Sequence, residues 1–167
     1  MLKIIKNLLI FICIIGFTSC YADTVTMYLT TPQGQGKSVG TIQITETKYG
    51  LLFTPNLKGM SPGIHGFHVH VNPDCSNNGM AAGGHLDPNA TNKHLGPYND
   101  KGHLGDLPAI YILSDGTATQ PVLAPRLKHI SQIKNHSLML HSGGDNYSDS
   151  PKPLGGGETR MVCGIIH

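Results

Sequence analysis

The sequence predicts an all-β domain, an antiparallel sandwich or barrel of eight short strands interrupted by two long loops. Apolar and polar residues alternate with period two in eight short segments. Gly and Pro are abundant, 21 and 11 of 167 residues, as a turn-rich fold requires. No stripe of helical period competes. The length suits one domain, and the Gly and Pro content makes long helical bundles and coiled coils poor fits. No internal repeat, low-complexity tract or second domain is visible.

The first element is an export signal. Lys3 and Lys6 precede an apolar run, Leu8 to Phe17, that ends at Thr18, Ser19 and Cys20. A basic start, an apolar middle too short to span a bilayer and a small-residue end make a secretory leader. Two cuts are open. Phe17-Thr18-Ser19-Cys20 is like a bacterial lipobox, giving a leader of 1–19 and a lipidated Cys20. Cys20-Tyr21-Ala22 suits an ordinary signal peptidase, giving a leader of 1–22 and a domain of 23–167. Without Lys3 and Lys6 the chain carries ten basic and ten acidic residues. A neutral domain has no general attraction for nucleic acid or anionic lipid, so membrane association would rest on a lipid at Cys20 alone.

The first strand starts at Thr24, where Val25, Met27 and Leu29 alternate with Thr24, Thr26, Tyr28 and Thr30. Further strands are expected at Gly40–Thr45, Tyr49–Thr54, His65–Val71, Leu107–Leu113, Thr117–Val122, Ser137–His141 and Arg160–Ile166. Pro32-Gln33-Gly34, Lys48-Tyr49-Gly50 and Ser114-Asp115-Gly116 punctuate them as turns. Asn72–Asp106 and Ser142–Glu158 are too long to be turns, and ordered loops of that length are normally functional. Export leaves Cys75 and Cys163 as the one pair certain to remain, and an oxidising compartment predicts a disulfide between them.

The histidines point to the chemistry. His68 and His70, at i and i+2 in a strand, project from one face, with Phe67 and Val69 opposite. His85, His94, His103 and Asp106 fall within the first long loop, and His141 ends a strand just before the second. Imidazoles plus a carboxylate at these spacings are what a loop needs to wrap around a metal. Seven ligands are one short of two four-coordinate sites, so the count closes if one imidazole faces two ions. All-nitrogen ligation suits copper, and three imidazoles with a carboxylate suit zinc.

Gly66-Phe67-His68-Val69-His70, Gly83-Gly84-His85, His94-Leu95-Gly96-Pro97, Gly102-His103-Leu104-Gly105-Asp106-Leu107-Pro108 and His141 resemble, in that order, the motifs of copper/zinc superoxide dismutases. Asn72-Pro73-Asp74-Cys75 and Lys152-Pro153-Leu154-Gly155-Gly156-Gly157 are similar to the bacterial periplasmic branch. The resemblance spans essentially the whole mature chain and implies an eight-stranded Greek-key barrel. It implies copper at His68, His70, His85 and His141, and zinc at the shared His85 with His94, His103 and Asp106. It further implies that Asp145 links a copper ligand to a zinc ligand, that Arg160 attracts superoxide, and that copper alternates between two redox states while His85 carries a proton. Periplasmic location follows from the same resemblance; monomer and homodimer both remain open.

Two other functions accommodate the ligands. A non-enzymatic copper/zinc-binding protein has no use for Arg160 beside the metal. A zinc hydrolase lacks a general base, since Asp106 is consumed as a ligand. Lys152 faces Asp145, Asp149 and Glu158 in the second loop, and Glu158 stands where a Gly or small residue is expected. The basic run of Arg126, Lys128, His129 and Lys134 reads as solvated charge. His65 reads as a hydrogen-bonded structural residue, His129, His136 and His167 as surface residues, and the scattered methionines as packing.

Overall fold

A computed structural model describes residues 21–167. The expected leader, with Cys13 and Cys20, lies outside the described residues. Among the described residues nine strands form: β1 (Ala22–Thr31), β2 (Gly34–Thr47), β3 (Gly50–Leu57), β4 (Gly63–His65), β5 (Phe67–His70), β6 (Ile110–Ile112), β7 (Val122–Ala124), β8 (His136–His141) and β9 (Arg160–Ile166). Seven make one antiparallel sheet in the order β5-β8-β9-β1-β2-β3-β7, and β4 pairs with β6 in a second, small sheet. Only β1-β2-β3 is a simple meander; the other neighbours meet through long crossings, as in a Greek-key fold.

The alternation read from the sequence is the cause of the core. Val25 and Met27 of β1, Ile42 and Ile44 of β2, Leu51 and Phe53 of β3, Phe67 and Val69 of β5, and Leu138 and Leu140 of β8 are buried in one cluster. Ile110 and Ile112 of the small sheet enter the same cluster, so both sheets share one core. Phe53 and Phe67 meet edge to face at 5.5 Å, the arrangement that aromatic quadrupoles favour.

Four strands differ from expectation. Gly40–Thr45 lengthens to β2, Gly34–Thr47, because β1 pairs with it from Gly34 onward. His65–Val71 splits into β4 and β5 at Gly66, which makes nine strands of eight. Gly66 donates its N–H to Gly143 O (2.9 Å) and accepts from His141 N–H (2.9 Å), so its backbone serves the second long loop and β8. Leu107–Leu113 shortens to β6, because Pro108 has no N–H to offer a ladder. Within Thr117–Val122 only the ends pair, Ala118 in a single bridge to Leu57 and Val122 with Phe53, and the strand beside β3 is Val122–Ala124.

β5 is an edge strand of the large sheet, and the first long loop occupies its free side. Val69 N–H donates to Gly105 O (2.9 Å), Leu86 N–H to Val69 O (2.8 Å) and Val71 N–H to Gly84 O (3.0 Å). Gly105 is required here, since a Cβ would collide with the Val69 carbonyl and the Leu86 amide. The loop is thereby fastened to the strand that carries His68 and His70.

Candidate metal centre

The two imidazoles of β5 lie on the face opposite Phe67 and Val69, as alternation predicts. Met139 of β8 stands across from His68, and His141 follows two residues later on that same face. Isolated bridges join His70 to His85 and His68 to Asp106, which brings the loop ligands alongside. His68, His70, His85, His94, His103, Asp106 and His141 are all buried.

They form two sets that share His85. The side chains of His68, His70, His85 and His141 offer ligand atoms within 4.8 Å of one another, and so do those of His85, His94, His103 and Asp106. In the second set the Nδ1 atoms of His85, His94 and His103 stand 2.9, 3.0 and 3.3 Å from Asp106 Oδ1. Asp106 Oδ2 accepts from the Leu95 and Gly96 N–H groups, both at 3.2 Å, which aims Oδ1 at the three rings. In the first set His70 donates its Nδ1–H to Gly83 O (2.9 Å), leaving its Nε2 3.4 Å from Nε2 of His141.

Asp145 connects the sets. His68 donates its Nε2–H to Asp145 Oδ2 (2.8 Å), and His94 donates its Nε2–H to Oδ1 (2.7 Å). A carboxylate only accepts, so Nε2 of both rings carries a proton and Nδ1 is the nitrogen left to face a metal. Gly155 makes this close approach feasible: a Cβ there would strike Asp145 Oδ1 and lie 2.9 Å from His94 Nε2.

Burial, with the neighbouring His68, pushes His85 down to about 3 and His141 down to about 2. Burial also lowers His68 and His70. For His94 burial is outweighed by Asp106 and Asp145, which hold it up to about 9. Burial opposes ionisation of Asp106 and Asp145 too, yet His103, His85 and His94 around the first, and His68 and His94 around the second, keep both far below the ordinary carboxylate range. At neutral pH four neutral imidazoles therefore face one set and an ionised carboxylate faces the other.

Arg160 reaches the site through a bulge. β8 and β9 pair Met139 with Cys163 and Leu140 with Val162, but His141 with Arg160, skipping Met161. Strict alternation from Cys163 would send Met161 to the metal face; the bulge turns Met161 toward the core and Arg160 toward His141. The guanidinium donates to Gly79 O (2.8 Å) and Gly83 O (2.6 Å), within the loop that the Cys75–Cys163 disulfide ties to β9. It borders a cavity of about 230 Å³ whose lining includes Met80, His85, His141, Leu154 and Glu158.

Many known proteins are similar to this chain in sequence and in structure. The family model "Copper/zinc superoxide dismutase (SODC)" matches residues 38–166. The chain belongs to the copper/zinc superoxide dismutase family. A copper/zinc superoxide dismutase of Salmonella typhimurium is 60% identical over 151 residues, covering 86% of this chain and 85% of its own. One from Haemophilus parainfluenzae is 55% identical over 143 residues, covering 81% and 76%. The structure of the Brucella abortus copper/zinc enzyme aligns with a TM-score of 0.84 at 50% identity, over 88% of this chain and all of that one.

The dismutase uses copper and zinc, and its residues fit both. Among the described residues, the buried ring nitrogens without a hydrogen-bond partner are His68 Nδ1, His85 Nε2, His94 Nδ1 and His141 Nδ1. The first two face the four-imidazole set, and His94 Nδ1 stands near Asp106 without hydrogen-bond alignment. Leaving the first three atoms desolvated and unpaired costs about 1–3 kcal/mol each, which a cation on the lone pair offsets, whereas His141 turns Nε2, not Nδ1, toward His70.

Every site residue expected from the sequence gathers here, and the expected disulfide forms. His65 is a structural residue as expected: its two nitrogens stand 2.8 Å from His141 O and 2.9 Å from Ser61 O. Three contributions escaped sequence reasoning, those of Gly83, Asp149 and Arg126, and the unexpected Glu158 is accounted for by its backbone. The Gly83 carbonyl holds both His70 and Arg160. Asp149, read as an opposing charge, accepts from the N–H groups of His94 (2.9 Å) and Leu154 (3.2 Å) and so joins the two long loops. Glu158 sits at φ 61°, the left-handed backbone that explains the expectation of Gly, and lies 3.7 Å from Lys152 in an exposed pair. Arg126 is not solvated, with its side chain only 12% exposed.

Proposed function

We propose that His68, His70, His85 and His141 hold copper, that His85, His94, His103 and Asp106 hold zinc, and that Arg160 receives superoxide beside them. The observation that carries this reading is the His85 ring, with Nδ1 at Asp106 and Nε2 unpartnered among His68, His70 and His141. The bound metals supply one-electron exchange at copper and a fixed positive charge at zinc, by which two superoxide ions and two protons become dioxygen and hydrogen peroxide. His85 takes up a proton at Nε2 and returns it to the departing product, while its Nδ1 stays aimed at the zinc side. Asp145 fixes the tautomers of His68 and His94, so that both lone pairs point inward. Arg160 draws the anion into the cavity and orients it with a charge-assisted hydrogen bond.

Replacing Arg160 with Ala tests the substrate role. Loss of one such bond lowers kcat/KM about 10- to 100-fold, whereas copper and zinc content stay at parental levels because Arg160 is outside both sets. Parental turnover in a fully loaded R160A protein overturns the assignment. A non-enzymatic metal-binding role would leave the parent itself inactive when loaded.

We further propose that the mature chain works in the periplasm. The leader pattern, the Cys75–Cys163 disulfide and the bacterial relatives support this reading. The mass of the mature chain should correspond either to a lipidated start at Cys20 or to an unmodified start at Asp23. An uncleaved chain recovered from the cytoplasm refutes the placement.

A further inference from the structure

We infer that Arg126 positions the loop bearing His94, His103 and Asp106 and so sets the affinity for zinc relative to copper; this rests on the zinc set proposed above. Arg126 follows β7, remote in sequence from that loop, yet its nearly buried guanidinium is spent on it. It donates to His103 O (2.8 Å) and Gly102 O (2.8 Å), with a longer contact to Gly96 O (3.5 Å), and its Nε lies 3.5 Å from Asp100 Oδ1.

These carbonyls belong to the residues that build the zinc set. His103 presents its ring to Asp106 Oδ1 while its own carbonyl takes Arg126 and, at 3.4 Å, the Asp106 N–H. Gly96 gives its N–H to Asp106 Oδ2 while its carbonyl faces Arg126. One planar fork thus sets the backbone on both sides of the carboxylate, and only a guanidinium has that geometry. By contrast, the hydrogen bonds that hold His68, His70 and His141 come from Asp145, Gly83, Gly66 and β8, none of which touches Arg126. Weakening the fork therefore acts on one set.

The sign of the effect separates this role from a plain electrostatic one. A cation near the site repels zinc, so removing charge alone would tighten zinc binding, and exchanging Arg for Lys would change nothing. Loss of the fork predicts the opposite in both cases. Zinc and copper release from the fully loaded, disulfide-bonded chain is titrated with a chelator for the parent, Arg126→Gln, Arg126→Lys and His103→Ala. The zinc dissociation constant should rise about 10- to 100-fold in R126Q, the range for residues that orient metal ligands. R126K should lie nearer to R126Q than to the parent, and copper release should stay within about twofold.

Zinc held as tightly as in the parent, or tighter, by R126Q while H103A loses it overturns the inference and spares the ligand set. Zinc kept at parental affinity by H103A removes the ligand set and the inference together. A parallel loss of copper in R126K would make the role general stability, which also overturns it.

Discussion

Replacing His85 with Gln is expected to lower superoxide turnover about 10²- to 10⁴-fold, the range for losing a positioned proton carrier, and to weaken the hold on both metals at once. The double effect distinguishes this position from every other ligand. His85 Nδ1 is 2.9 Å from Asp106 Oδ1, and its ring stacks on His68 with centroids 4.0 Å apart. Its loss leaves His68, His70 and His141 on one side and His94, His103 and Asp106 on the other. Three ligands still hold an ion, so the variant should bind both metals more weakly while lacking the ring between them. His103→Ala serves as the comparison, since it removes a ligand from the zinc set alone. Chelator competition for each metal, read beside turnover, checks the expectation; an H85Q protein weakened toward only one metal would show that the ring is not shared.

The second large effect is expected from the disulfide. Cys75 and Cys163 are 88 residues apart in sequence. Closing a loop of that length restrains the unfolded chain by about 4 to 5 kcal/mol in the loop-entropy model, so a Cys75→Ser/Cys163→Ser double variant should melt roughly 10–20 °C below the parent. Activity should fall even where the protein remains folded. The bridge fastens the loop whose Gly79 and Gly83 carbonyls hold Arg160, and Gly83 also orients His70. Loosening that loop frees the guanidinium from its frame and allows the His70 ring to turn. Thermal melts and kcat/KM below the melting range test both halves. A double variant that melts within about 2 °C of the parent and keeps its turnover would count against both.

Much of the centre is legible in one dimension because its parts are local. His68 and His70 share a face through strand alternation, the loops reveal themselves by length and by Gly and Pro, and the number and kind of ligands follow from counting imidazoles and carboxylates. Charge roles are less legible. In the sequence Arg126 reads as solvated charge and Asp149 as a charge opposing Lys152, but Arg126 is occupied by the Gly102 and His103 carbonyls and Asp149 accepts from the His94 N–H of the other long loop. Exposure and partner choice are not functions of neighbouring residues.

The sequence alone determined the all-β class, the ligand chemistry and the cysteine pair, since each depends on residue type, short-range periodicity or composition. Only the tertiary structure decided which ring nitrogen of each histidine is bare, through the partners Asp145 and Gly83 provide. It also decided that the chain breaks at Gly66 between β4 and β5, and that a bulge at Met161 turns Arg160 rather than its neighbour toward His141. These outcomes depend on hydrogen bonds between segments tens of residues apart, where a shift of one residue in pairing reverses which side chain faces the metals.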